Sequence, residues 1–256
     1  MGKVELKEFV PPIFYRGINF LLKRRKDGSS KIHPFDAVPP GLDVKWIMDV
    51  GANVGDVAVA ALKSYANAQV ICFEPVKSTF DVLTKRIEPF SRRCHLFNFA
   101  LSDTEKTGTI NITSHHGANS ISPQASFHQD CNPHVREIGK EHIRLIRLDD
   151  CAAKLPSQKI DIMKIDVEGH EINVLKGGVN FISNNVDVII IEISFMRDHS
   201  PNDQAVFEIF SLLKVAGFYL VNVVDLHYSL DRPILIAQMD CIFKHKRNLS
   251  GLDCCA

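Results

Sequence analysis

The sequence lacks an excess of charge of either sign, since 30 Lys and Arg residues balance 30 Asp and Glu residues over 256 positions. Proteins that bind nucleic acid usually carry surplus basic residues for the phosphates, so the even balance argues against nucleic acid as a partner. Apolar residues make up 45% of the chain, which is an ordinary globular share. The length suits one α/β domain with a sizeable core.

C-x-x-C pairs and long apolar runs are also missing. The seven cysteines are odd in number and scattered, without a C-x-x-C pair. This spacing predicts neither a disulfide framework nor a zinc site, and it favours a reducing compartment. No stretch reaches the ~18 apolar residues of a membrane span, and the charged start does not resemble a signal peptide. We therefore expect a cytoplasmic protein without a transmembrane segment.

Residues 1–40 differ in composition from the rest of the chain. Apolar residues between 9 and 22 precede a basic run at 23–26, and Gly, Ser and Pro recur from 27 to 40. We expect an N-terminal helical extension and a linker here. The helix could pack on the main domain, or residues 9–26 could form an interfacial helix that contacts a membrane surface. The main domain is expected at 41–246, with a flexible tail at 247–256.

From residue 45 onwards, strand patterns alternate with helical patterns. Strands are predicted at 45–50, 69–73, 95–99, 109–112, 143–148, 160–165, 186–193, 218–224 and 235–243, and helices at 54–65, 76–87, 171–183 and 204–216. The alternation predicts an α/β fold with a mostly parallel seven-stranded sheet, helices on both faces and a final antiparallel strand. Residues 114–141, rich in His, Asn, Ser and Pro, are predicted to form a long loop or lid.

The first strand runs into a glycine-rich turn, GANVG at residues 51–55. A dinucleotide site would need G-x-G-x-x-G, but Asn53 and Asp56 occupy the second and third glycine positions. Asp56 would lie in the first helical turn, where its carboxylate would repel a phosphate. S-adenosylmethionine has no phosphate, and Asp49 could attract its positive sulfonium. The turn therefore favours S-adenosylmethionine over a diphosphate cofactor.

The second strand is followed by Glu74 and Pro75, and Glu74 stands 23 residues after Gly51. An acid that binds the ribose hydroxyls is expected ~20 residues after the first glycine of such a turn. A carboxylate suits this role because it accepts hydrogen bonds from both hydroxyls. The alternative is a solvated residue at a strand end.

A second group of acidic residues lies in KIDVEGHE at residues 164–171, at the end of a predicted parallel strand. Glu192 lies near the end of the next strand. If these strands flank the first, Asp166, Glu192 and His170 lie at the same sheet edge as Gly51.

The motifs DVGANVGD, FEP, ALSD, LDD and KIDVEGHEINVLKGG occur in this order between residues 46 and 195. Together they resemble the FkbM family of S-adenosylmethionine-dependent methyltransferases. The resemblance implies a Rossmann-like methyltransferase fold and methyl transfer to a hydroxyl of a sugar, polyketide or related metabolite. It implies that Asp166 lies beside the sulfonium and the acceptor. The predicted cofactor-binding residues are Asp49, Gly51, Ala52, Asn53, Gly55, Glu74, Pro75, Ala100 and Leu101, the last two near the adenine.

Transfer to an alcohol requires an aligned acceptor oxygen and a base or metal that takes its proton. Asp166, Glu168 and Glu192 are the catalytic candidates. Mg²⁺ held by Asp166, Glu192 and water is chemically reasonable, although no metal site is predicted. Alternatively, Glu168 and Glu171 simply place negative charge in the first turn of a helix.

Five polar residues are candidates for substrate binding, either as pocket residues or as ordinary loop residues. Four lie in the predicted loop and one follows the fifth parallel strand: His115, His116, Asn119, Ser120 and His199.

The sequence thus predicts an S-adenosylmethionine-dependent O-methyltransferase that acts on a small metabolite or a glycan, sugar, polyketide or lipid-linked, by in-line transfer. The alternatives are an NAD-type oxidoreductase, a non-catalytic S-adenosylmethionine-binding module, and N- or C-methylation on the same fold. The sequence indicates no particular oligomeric state.

Overall fold

The computed structural model describes residues 35, 38, 42–114, 117, 119–121, 136–197, 200, 201, 203–228 and 234–249. Its strands, numbered in chain order, are β1 Trp46–Val50, β2 Gln69–Phe73, β3 Cys94–Phe97, β4 Ala100–Leu101, β5 Lys106–Thr113, β6 Glu137–Ile146, β7 Ile160–Ile165, β8 Val186–Ser194, β9 Met196–Arg197, β10 Ser200–Pro201, β11 Phe218–Tyr228 and β12 Ile236–His245. Its α-helices are α1 Asp56–Ser64, α2 Lys77–Arg86, α3 Leu148–Cys151, α4 Glu171–Gly177, α5 Val179–Asn185 and α6 Asp203–Val215.

A seven-stranded sheet forms the centre of the domain, in the order β11-β12-β8-β7-β1-β2-β3. β12 is antiparallel to β8 and to β11, whereas the neighbouring pairs from β8 to β3 are parallel. The prediction of a mostly parallel sheet with a final antiparallel strand is therefore confirmed. The closing pair extends over residues 218–228 and 236–245, which is longer than predicted.

The order of the strands reverses at β1. β2 and β3 continue on one side of β1, and β7 and β8 lie on the other. Right-handed crossovers then place α1 and α2 on the opposite sheet face from α4 and α5. In α/β proteins, ligands bind beyond the carboxyl ends of the strands at such a reversal. The ends of β1 and β7 are therefore the first place to look for a site.

The core strands are apolar on both faces, as expected for parallel strands covered on each side. Ile162, Met163 and Ile165 in β7 are fully buried, and so are the isoleucines of β8 at 189–191. Lys164 in β7 is charged and only 4% exposed. A buried charge requires partners, which the carboxyl end of the sheet supplies.

A second, three-stranded sheet has the order β4-β6-β5. β6 begins at Glu137. The prediction of a loop over 114–141 is therefore wrong for residues 137–141, which pair with β5. The sequence pattern of residues 137–141 did not indicate a strand, because this part of β6 is exposed and carries charged residues.

Two predicted elements, the helix at 171–183 and the strand at 143–148, have different boundaries in the structure. The helix predicted at 171–183 is broken at Gly178 into α4 and α5. A Cβ at Gly177 would lie 1.8 Å from the Ser102 carbonyl oxygen, so this close approach requires glycine. Leu148, predicted to end a strand, begins α3 instead. Asp149 beside it accepts hydrogen bonds from the amides of Asn180 and Phe181 at the start of α5.

Contacts with the main domain occur on both sides of its predicted limits, 41 and 246, which stay a prediction. Phe35 is buried and its ring contacts Tyr65 edge-on. Arg247 donates hydrogen bonds to Asp187 and to the Ser183 carbonyl, so the ordered chain continues past residue 246. Residues 1–34 and 250–256 lie outside the described residues. Among the helices that the structure describes, none is long and apolar enough to cross a membrane.

Candidate functional site

A cleft lies beyond the carboxyl ends of β1, β2 and β7, where the strand order reverses. It is lined by residues of four segments: Val50, Gly51, Ala52, Asn53, Asp56 and Val57; Phe73, Glu74 and Pro75; Ala100, Leu101, Ile110, Gly117, Asn119 and Ile121; and Lys164, Asp166, Val167, Glu168 and His170. Most of the predicted cofactor residues are thus brought together. Asp49, Gly55, Glu192 and Ser120 do not line the cleft, and His115, His116 and His199 lie outside the described residues.

The glycine-rich turn depends on left-handed backbone that glycine tolerates best. Gly51 has φ +85° and Gly55 has φ +88°, and Asn53 between them also has a positive φ of +49°. A Cβ on Gly51 would lie 1.9 Å from the Asp166 carbonyl oxygen. Gly51 therefore lets the turn after β1 contact the loop after β7, which joins the two halves of the cleft.

The backbone amides of this turn are largely used within the protein. Those of Gly51 and Ala52 donate to the Phe73 carbonyl at 3.1 and 2.9 Å, and that of Gly55 donates to the Ala52 carbonyl at 2.8 Å. The Asn53 amide donates to Glu74 Oε2 at 3.0 Å. A diphosphate would need such amides to be free. The turn is consequently poorly suited to bind a phosphate, in agreement with the presence of Asn53 and Asp56 at two glycine positions of the dinucleotide motif.

Glu74 is held in the cleft by two backbone donors. Its Oε2 accepts from Asn53 and its Oε1 accepts from the Val76 amide at 2.9 Å. Asn98 donates to the Glu74 carbonyl at 2.9 Å, which fixes the backbone as well. Burial raises the pKa of Glu74 to about 7, while the two amide hydrogen bonds oppose the rise. The second lone pair on each oxygen remains for a ligand with paired donors.

Asp49 is fully buried, and neither of its carboxylate oxygens has a hydrogen-bond partner among the described residues. It pairs in register with Lys164 on β7, so the two side chains share a sheet face. Burial raises the pKa of Asp49 to about 6, partly offset by the Lys164 ammonium. The Oδ1 of Asn53 is a second buried acceptor for which the described part of the chain offers no partner. Both groups suit a ligand that brings a positive charge or N–H donors.

Lys164 supplies a buried ammonium at the centre of these acids. Its Nζ donates to Asp166 Oδ2 at 2.5 Å. Burial by itself would lower the pKa of Lys164, but Asp166 and Asp49 raise it above its usual range. Lys164 therefore stays charged and holds one oxygen of Asp166 in a fixed position. Lys164 belongs to the KIDVEGHE motif, but the sequence analysis predicted no role for it.

Three carboxylates, Asp166, Glu168 and Glu192, meet at the end of β7 and β8, with one oxygen from each lying within 4.8 Å of the others. Burial and the neighbouring acids Asp166 and Glu168 raise the pKa of Glu192 well above its usual range. The raised pKa favours the protonated form of Glu192, and only its ionised form can take a proton from a bound hydroxyl. Mg²⁺ held by Asp166, Glu192 and water, which the sequence allows without predicting a metal site, is compatible with this spacing and is not tested by it.

The loop that carries Asp166 and Glu168 is clamped by Glu171. The Oε1 of Glu171 accepts from the amides of Val167 and Gly169 at 3.3 and 3.0 Å. Glu168 and Gly169 have positive φ values of +53° and +91°, so this backbone is in the left-handed region. Glu171 is thus a buried structural acid that stabilises this conformation. The sequence pattern had suggested only a charge in a helical turn.

We expect glutamine at Glu171 to reduce the pH dependence of folding stability. Burial raises the pKa of Glu171 from its ordinary 4.5 to about 7, so the folded chain holds a proton that the unfolded chain releases. This contribution is complete below pH 4.5 and is lost as the pH rises through 7, by up to about 3 kcal/mol. Urea unfolding at about pH 5 and pH 7.5 would show a smaller difference in Glu171→Gln than in the wild type. The exposed Glu88→Gln serves as control, and equal pH differences in all three proteins would contradict the raised pKa.

Asn119 and Ser120, predicted to bind substrate, make structural contacts near the cleft. Asn119 lines it, but its Oδ1 accepts from the Thr113 amide at 2.8 Å. The Ser120 hydroxyl is buried and donates to the Glu168 carbonyl at 2.7 Å. Ser120 therefore supports the position of Glu168, and its substrate-binding role stays a prediction.

Comparison with known proteins gives consistent matches. The model of the methyltransferase FkbM domain matches residues 49–220. The hexuronic acid methyltransferase AglP of Haloferax volcanii is 31% identical over 156 residues, which are 59% of this chain and 56% of AglP. The 2-O-methyltransferase NoeI of Sinorhizobium fredii is 31% identical over 140 residues, 52% of this chain and 56% of NoeI. The chain thus spans little more than half the length of these relatives.

Among solved structures, the methyltransferase FkbM of Methylobacillus flagellatus is 15% identical, with a TM-score of 0.49 over 84% of this chain and 48% of that chain. The family assignment depends on the domain match, which covers more than half of the sequence and contains the cleft described above. The protein belongs to the FkbM methyltransferase domain family.

Proposed function

We propose that the protein transfers a methyl group from S-adenosylmethionine to a hydroxyl of a small metabolite or glycan. The observation that carries this proposal is the fixed Glu74 carboxylate in a cleft whose turn amides are already bonded. A carboxylate held by two amides suits a ribose diol, and the bonded amides leave little for a diphosphate.

The remaining polar groups of the cleft fit the other end of this cofactor. The side-chain oxygen of Asn53, which lines the cleft, has no hydrogen-bond partner among the described residues, and the same holds for the carboxylate of Asp49, which is fully buried at β1 and does not line the cleft. The amino group and the sulfonium of S-adenosylmethionine bring donors and positive charge. The apolar Ala100, Leu101 and Ile110 offer surface for a flat base.

When bound, S-adenosylmethionine would supply an electrophilic methyl group on its sulfur. Asp166 lies at the cleft with one oxygen fixed by Lys164, which leaves the other to orient an acceptor hydroxyl. Glu192 and Glu168 lie within reach of Asp166 and can accept the hydroxyl proton as the oxygen attacks. Glu171 keeps the loop that carries Asp166 and Glu168 in position.

The names of the relatives support a sugar hydroxyl as the acceptor. AglP acts on a hexuronic acid and NoeI is a 2-O-methyltransferase. The three carboxylates of Asp166, Glu168 and Glu192 favour an acceptor that donates hydrogen bonds, as sugar hydroxyls do. An NAD-type oxidoreductase is disfavoured by the bonded turn amides. A non-catalytic module would not need the clustered carboxylates of Asp166, Glu168 and Glu192. N- or C-methylation would use the same fold.

Calorimetric titration of the full chain tests this proposal. S-adenosylmethionine and S-adenosylhomocysteine should each bind at one site, and NAD⁺ should not displace them. Transfer of a labelled methyl group should then be measured with pairs of acceptors, each pair consisting of a neutral glycoside and the corresponding uronide. Asp166→Asn should still bind S-adenosylhomocysteine but lose transfer, since the carboxylate that orients the acceptor is gone. Binding of NAD⁺ alone, or no binding of either sulfur compound, would refute the proposal.

A further inference from the structure

His170 lies in the wall of the cleft, and two hydrogen bonds in series orient its ring. Its Nε2 lies 3.0 Å from Ser102 Oγ, and the Ser102 hydroxyl donates to Asp103 Oδ1 at 3.1 Å. Ser102, the middle residue of this chain of bonds, is only 1% exposed. The proposed methyl transfer uses none of these three residues.

The direction of these bonds decides which imidazole nitrogen carries the proton. Burial would raise the pKa of Asp103, but hydrogen bonds from Asn173 and Ser102 lower it below its usual value, so its carboxylate can only accept. The single hydroxyl hydrogen of Ser102 is directed to Asp103. Ser102 Oγ therefore accepts from Nε2–H of His170, and Nδ1 is left as an acceptor.

The acceptor nitrogen is available to a ligand. Burial lowers the pKa of His170 to about 4, so the ring is neutral at physiological pH. Among the described residues, none forms a hydrogen bond with Nδ1. His170 lines the cleft together with Ala100 and Leu101, which directly precede the Ser102 that orients it. A neutral acceptor thus lies beside an apolar part of the cleft.

We propose that His170 is a specificity-determining residue, whose Nδ1 accepts a hydrogen bond from the 6-amino group of the cofactor's adenine. This inference rests on the proposed use of S-adenosylmethionine. Adenine presents N–H donors at position 6, whereas a purine without that amino group presents none. The Ser102–Asp103 pair acts as a positioning element, because it sets the tautomer and the ring orientation without contacting the base.

The test is calorimetric titration with S-adenosylhomocysteine and with its analogue that carries hydrogen in place of the 6-amino group. The wild type should bind the analogue about tenfold more weakly, the effect of one hydrogen bond in a sheltered site. His170→Phe should bind S-adenosylhomocysteine about tenfold more weakly and should discriminate between the ligands less than about twofold. Equal affinity of the wild type for both ligands would overturn the inference, as would undiminished discrimination by a folded His170→Phe.

Two further variants separate this role from a structural one. Ser102→Ala preserves the side-chain volume but removes the orienting bond, so its discrimination should fall to about threefold, between those of the wild type and His170→Phe. His142→Phe alters an exposed histidine on β6 outside the cleft and should discriminate as the wild type does. If His170→Phe fails to fold, undiminished discrimination by Ser102→Ala overturns the inference. Absence of S-adenosylhomocysteine binding to the wild type would overturn the proposed function itself.

Discussion

Replacing Glu74 with glutamine should weaken S-adenosylhomocysteine binding by roughly 30- to 100-fold. Each hydrogen bond to a charged group is worth about 1.5–3 kcal/mol, and the ribose diol would form two with this carboxylate. Glutamine also has only one accepting oxygen, so either Asn53 or Val76 loses its backbone bond. The glycine-rich turn is then less well ordered for the cofactor. Calorimetry at about pH 8, where the Glu74 carboxyl with its pKa of about 7 is mostly ionised, measures the loss.

Glu141→Gln provides a matched control for this effect. Glu141 accepts from the Lys77 amide at 2.8 Å, so it caps backbone close to Glu74, but it does not line the cleft. Its substitution should leave the affinity within about twofold of the wild type. The wild type should also bind more tightly as the pH rises from 6 to 8, because the ionised Glu74 is the better acceptor. Unchanged affinity in a folded Glu74→Gln would remove Glu74 from the ribose role.

The parts of this fold that follow from the sequence are those determined by local pattern. β7 and β8 are mostly apolar and buried, as expected of covered parallel strands, and their ranges are close to the predicted ones. The turn at 51–55 and the acid at Glu74 follow from glycine spacing, and the structure brings both to one cleft. The reversal of the strand order at β1 then follows from the alternation of strands and helices.

Features that arise from contacts between distant segments were not predicted. The first of the two helices ends at Gly177, which the Ser102 carbonyl approaches closely, and these residues are 75 positions apart. Ser120 bonds to the Glu168 carbonyl over a separation of 48 positions. Glu171 had the pattern of an exposed first-turn acid, but the left-handed backbone before it turns its side chain inward. Periodicity carries no information about these pairs.

The largest loss of stability is expected from Lys164→Met. Lys164 is the ammonium that neutralises Asp166 and the fully buried Asp49, and removal of one partner from a buried ion pair typically destabilises a protein by about 3–5 kcal/mol. Methionine has a similar length and packs in an apolar environment, so loss of packing contributes little. Urea unfolding at about pH 7.5 should show this deficit. Lys159→Met breaks an ion pair with Asp187 in which the lysine is 69% exposed, and it should lose less than about 1 kcal/mol.

The pH dependence of that deficit tests whether charge is its cause. Burial already raises the pKa of Asp49 to about 6 and that of Glu192 well above its usual range, and without Lys164 both should rise further. Folded Lys164→Met then binds more protons than the folded wild type, so its stability should recover relative to the wild type as the pH falls to about 5. Adding Asp166→Asn to the variant should recover part of the loss at pH 7.5, because it removes one uncompensated carboxylate. A deficit that is constant with pH and unaffected by Asp166→Asn would show that Lys164 contributes through packing instead of charge.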